Sequence, residues 1–94
     1  MEIGEFGGEP AASAVVERIT AALSQAAARS DGLSEVHDVR VRVGPAGQYV
    51  IFHCRAAANL TVAATHDCVD ALERALRDRF PEVIRIVGHA EPAH

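Results

Sequence analysis

Val36-His37-Asp38-Val39-Arg40-Val41-Arg42-Val43, followed by Gly44-Pro45-Ala46-Gly47 and then Gln48-Tyr49-Val50-Ile51-Phe52-His53-Cys54-Arg55, is the stretch on which the fold turns. Its first part alternates, with His37, Val39, Val41 and Val43 expected on one face and Asp38, Arg40 and Arg42 on the other, the period of a half-buried strand. The glycine-proline segment is a turn, and the β-branched and aromatic run after it is a second strand. So short a link makes the two an antiparallel hairpin.

Outward from the hairpin the pattern becomes helical on both sides. Upstream, over residues 11–29, Val16, Ile19, Leu23, Ala26 and Ala27 recur at three- and four-residue steps, an amphipathic stripe. Ser13 or Pro10 is placed to open this helix, and Gly32 to close it in a left-handed C′ position. Downstream, Thr61 is the expected N-cap of a second helix. Val62, Thr65, Val69, Leu72, Leu76 and Phe80 form its stripe, and Pro81 ends it. Residues 82–89 read as a third strand, with Arg85, Val87 and His89 on one face and Glu91 extending it. The order α-β-β-α-β specifies an α+β, two-layer domain with both helices on one face of a three-stranded mixed sheet. Residues 1–10 are expected to be a flexible leader, residues 11–92 the domain, and residues 93–94 a tail.

Composition narrows the function. The chain has 94 residues, 49% hydrophobic, with 9 Lys+Arg against 13 Asp+Glu and a net charge of −4; mean hydropathy is +0.08. Enough apolar residues are present to exclude a disordered chain, and no run is long enough to span a bilayer. All nine cations are arginine, and they form no basic stripe, so a nucleic-acid partner is not expected. Without an export signal the expected compartment is cytoplasmic, with Cys54 and Cys68 reduced. So short a chain buries only about 60–65% of its unfolded surface, so a metal or a second subunit is expected to add stability.

Five histidines stand in 94 residues. Hairpin reversal brings His37, at the start of the first strand, and His53, near the end of the second, to the hairpin's open end. His66, in the first turns of the second helix, and His89 with Glu91, at the end of the third strand, join them if those ends share that rim. Imidazole with carboxylate suits a borderline divalent ion: Zn²⁺, Co²⁺, Ni²⁺, Mn²⁺ or Fe²⁺. Each histidine taken alone is more often an ordinary hydrogen-bonded residue, and no pair has a short ligand spacing such as HExxH. Cys54 is expected on the opposite strand face as a small buried hydrophobe, and Cys68 does not share a helix face with His66. No phosphate loop, nucleophile elbow or nucleophile-base pair is present, so no enzyme activity is expected.

The ordered series His37-Asp38-Val39-Arg40-Val41-Arg42, Ile51-Phe52-His53, Thr61-Val62-Ala63-Ala64-Thr65-His66-Asp67, Phe80-Pro81-Glu82-Val83 and Val87-Gly88-His89-Ala90-Glu91-Pro92 resembles the C-terminal cytoplasmic domain of cation diffusion facilitator transporters. The resemblance runs from about residue 15 to residue 92. It implies a metallochaperone-like (ferredoxin-like) fold, a homodimer, and binding of Zn²⁺ or a related ion, Cd²⁺ included, near the dimer interface. By the same resemblance His53, His89 and Glu91 are the best-matched ligands, with His37 and His66 the remaining members of a binuclear site. The six membrane helices of those transporters find no counterpart in this sequence. The chain is therefore expected to be an excised cytoplasmic domain, partnered by a membrane transporter domain, or a free-standing homologue with no transport of its own. Two other readings are a metal-indifferent dimerisation module and a soluble metal carrier.

Overall fold

In the computed structural model the chain is described over residues 8–93. The elements are β1 (Glu9–Pro10), α1 (Ser13–Ala28), β2 (Leu33–Gly44), β3 (Gly47–Ala56), α2 (Val62–Arg79) and β4 (Val83–Pro92). They form a four-stranded sheet ordered β1-β2-β3-β4, antiparallel except for the parallel pair β3 and β4, with α2 as the crossover that a parallel connection requires. The fold is the expected α+β, ferredoxin-like arrangement with one strand more than expected. The extra strand lies in the stretch read as a leader: Glu9 and Pro10 pair with Val43 and Arg42, and Ala11 N–H donates to Val41 O at 2.9 Å. Two residues carry no readable period, and only the free edge of β2 makes them a strand. The rest of that leader, residues 1–7, and His94 lie outside the described residues. Ala93, assigned to the tail, still donates to Ala56 O at 3.0 Å.

One sheet face is covered and the other is open. Along β3, Val50, Phe52, Cys54 and Ala56 are buried while Tyr49, Ile51, His53 and Arg55 are half-buried, a period of two that separates the faces. The buried set packs against Ile19 and Leu23 of α1 and Leu72 and Leu76 of α2. Phe52, Ile19, Leu23, Leu72, Leu76, Val50 and Cys54 are each less than 2% exposed. Gly88 makes room for the largest of them, since a Cβ there would stand 2.5 Å from Phe52 Cζ.

The helix ends depart from expectation in three places. Ala12, not Ser13 or Pro10, caps α1, without a side-chain bond. The chain leaves α1 through Ser30, whose Oγ donates to Ala27 O (2.7 Å) and accepts from Leu33 N–H (3.0 Å). Gly32 is not left-handed; it is needed for a close approach, because a Cβ there would meet Leu60 Cδ1 at 2.4 Å. Thr61 caps α2 as expected, its Oγ1 accepting from Ala64 N–H at 3.0 Å, but Val62, given to the buried stripe, is 89% exposed.

The largest departure is in β2. Its register against β3 slips between Ser34 and His37 and again between His37 and Arg40. Glu35 (φ 52°) and Asp38 (φ 50°) are left-handed beside those slips. Each slip inserts one residue, a β-bulge that reverses which face later residues take. Val41 is buried opposite Val50, while His37 pairs with His53 and Arg40 with Ile51. His37 therefore leaves the apolar face it was expected to share with Val41 and stands on the open one.

Candidate metal centre

Three adjacent strands bring the histidines together on the open face. His37 of β2, His53 of β3 and His89 of β4 lie side by side, as the pairings His37 with His53 and His53 with His89 require. The His37 and His53 rings are 5.7 Å apart, and those of His53 and His89 are stacked at 5.0 Å. Glu91 follows His89 by two residues and so leans to the same side.

Glu91 ties the group together. Its Oε2 lies 2.9 Å from His53 Nδ1 and its Oε1 3.3 Å from His37 Nε2. One donor atom from each of His37, His53 and Glu91 lies within 4.8 Å of the others, the group of three so placed among the described residues. In a tetrahedral zinc site with bonds of about 2.0–2.1 Å, neighbouring donors stand roughly 3.3 Å apart. The His37 contact to Glu91 has that spacing at 3.3 Å and the His53 contact, a hydrogen bond at 2.9 Å, is somewhat shorter, so small side-chain adjustments would let the donor set hold a small divalent ion. His37 and Glu91 side chains are 41% and 38% exposed and His53 27%, which leaves the centre accessible from the open face.

The electrostatics agree with a group that shares positive charge. The hydrogen bond from His53 is the main influence holding the Glu91 carboxyl below the usual range; desolvation opposes it, and the nearby His37, His53 and Arg55 lower it further. Burial, and then the charge of Glu91, raise the Cys54 thiol. Cys54 faces the core, so it is a protonated small hydrophobe and not a ligand.

The sequence-derived residues divide. His37, His53 and Glu91 are gathered and His89 stacks beside them. His66 is not: its Nε2 lies 3.3 Å from Asp70 Oδ2, one turn along α2, and its side chain is 74% exposed. It shares only a groove wall with Glu91, together with Leu60, Val62 and Gly88. Asp38 was missed. Strand alternation places it opposite His37, yet its Oδ2 lies 3.7 Å from His53 Nε2. The available signal was that Asp, with a short polar side chain, tolerates the left-handed backbone that a bulge uses.

The profile of the cation efflux protein cytoplasmic-domain family matches residues 13–93. The chain belongs to that family. No curated protein matches it. Among solved structures, CzrB, studied as a zinc transporter, in its Zn form is 32% identical over 92% of this chain and 93% of that one, with a TM-score of 0.79. A second CzrB structure is 32% identical, covers 89% and 99%, and has a TM-score of 0.77. A variant of the MamM C-terminal domain shares the fold at 17% identity and a TM-score of 0.72, over 86% and 99%. Among the described residues of this cation-efflux domain no helix is long and apolar enough to cross a membrane.

Proposed function

We propose that this domain binds a divalent transition ion, zinc or a close relative, through His37, His53 and Glu91 with His89 beside them, and that the ion favours a homodimer formed across the open sheet face. The observation that carries this reading is the convergence of two imidazoles on one carboxylate close to coordination spacing. The likeness to CzrB in its Zn form supports zinc as the first ion to test. Binding replaces protons held between the rings and Glu91, so uptake of the ion releases protons and weakens at low pH. In a transporter, the same ion would draw two such domains together beneath the membrane part. The role we propose for the domain is regulatory, with transport left to a membrane part.

Equilibrium dialysis with elemental analysis, followed by sedimentation in chelator and in zinc, tests this. The expected result is bound zinc and a shift toward dimer. A metal-indifferent pairing module is the second reading, favoured by Val43 and Ile84, each 43% exposed. It predicts the same dimer in chelator as in zinc.

A further inference from the structure

An open sheet edge is a template for another strand, and natural domains break such edges up with bulges or short strands. The outer edge of β2 is broken in this way, by β1 and by the slips beside Glu35 and Asp38. The other edge is β4, the last strand of the sheet, and its register runs from Arg85 to Pro92 without a slip. Ala93 N–H donates inward to Ala56 O. Backbone groups alternate in direction along a strand, so Ile86, Gly88 and Ala90 turn their N–H and C=O groups outward. The Glu73 carboxylate of α2 accepts from the Gly88 N–H, in keeping with that direction.

Alongside this edge runs the groove that His66 lines, about 510 Å³ in volume. Gly88 and Ala90 form one bank and Leu60, Val62 and Val69 the other, with Val62 89% exposed. The rim is acidic. Asp70 Oδ2 lies 3.3 Å from His66 Nε2, Glu73 reaches Gly88, and Glu91 also lines the groove. Burial, then the charge of Asp70, raise the Glu73 carboxyl, against Arg77, the Gly88 bond and His66. A further cation at this rim would therefore be favoured.

We propose that the β4 edge and this groove form a docking site for an extended peptide segment of another protein, one carrying apolar side chains and a lysine or arginine. The segment adds a strand beside β4, pairing with the outward groups of Ala90. Glu73 marks its limit, because it already takes the Gly88 N–H. Apolar side chains rest against Leu60, Val62 and Val69, and the cation meets Asp70 and Glu73. Neither the cation-binding reading above nor its donor set is needed for this site.

The test selects binders from a displayed library of random heptapeptides on the full chain in chelator, then measures the recovered peptides by fluorescence anisotropy. Sequences with alternate apolar residues and a lysine or arginine are expected. Ala90→Pro removes one outward N–H, a change that edge strands tolerate, and Val62→Asp alters an exposed side chain. Each is expected to weaken binding about tenfold or more at an unchanged melting temperature, and Val62→Asp decides alone if Ala90→Pro melts early. Glu73→Gln, which keeps an acceptor for Gly88, is expected to weaken the basic peptides but not versions with norleucine in place of the cation. Recovery of no sequence pattern, recovery of acidic sequences, or undiminished binding in Val62→Asp overturns the proposal. So does a shift of the Ala90 amide resonance with protein concentration in the absence of peptide, which would give the edge to a second copy of the chain.

Discussion

His53 Nδ1 and Glu91 Oε2 stand 2.9 Å apart although 38 residues separate them in sequence. The parallel pairing of β3 and β4 joins them, with α2 as the intervening crossover. Because the bond holds Glu91 below the ordinary carboxylate range, the sign of its pH effect follows. A carboxyl depressed in the folded state stabilises the fold above the unfolded value, and that stability is lost as pH falls through the folded value. In metal-free protein, Glu91→Gln should therefore be less stable than the unsubstituted chain at neutral pH. The gap should close in acid, below about pH 4. Urea unfolding at a series of pH values checks this.

Metal affinity should also depend on pH. Imidazoles must be neutral to ligate, so zinc affinity should fall as the solution is acidified. Calorimetry in buffers of different ionisation enthalpy would show the released protons.

Gly88 should not tolerate a side chain. A Cβ there meets Phe52 Cζ at 2.5 Å and Val69 Cγ1 at 2.9 Å, and both are core residues with little room to move. Gly88→Ala should cost about 1–3 kcal/mol by overpacking, at roughly 4–8 °C of melting temperature per kcal/mol for a domain of this size. A thermal scan reads it.

Thr61→Ala removes the Oγ1 that accepts from Ala64 N–H and should cost about 1 kcal/mol. Because Thr61 is not among the gathered donors, zinc affinity corrected for unfolded protein should stay unchanged.

The hairpin was legible because alternation, a glycine-proline turn and a second β-rich run leave little else for residues 36–55 to form. That reversal also brought His37 and His53 to the hairpin's open end, where the structure pairs them. The bulges were not legible, since Val36 to Val43 alternates without a break in its letters. The slips arise from left-handed backbone at Glu35 and Asp38, which two acidic residues signal only weakly. The bulge between His37 and Arg40 moved His37 to the open face and turned Asp38 from a bystander into a neighbour of His53. His66 was expected to join the rim if the second helix began there, and a helix position alone did not reveal that its ring pairs with Asp70. The strand at Glu9–Pro10 exists only because β2 offers an edge.

His53 bridges β2 and β4, with one nitrogen on Glu91 and its ring between those of His37 and His89, so its removal tests the account most directly. Calorimetric titration of metal-stripped protein with zinc should show tight binding in the unsubstituted chain. That binding should be retained in His66→Ala and lost in His53→Ala. Equal binding in His53→Ala and the unsubstituted chain would contradict the account.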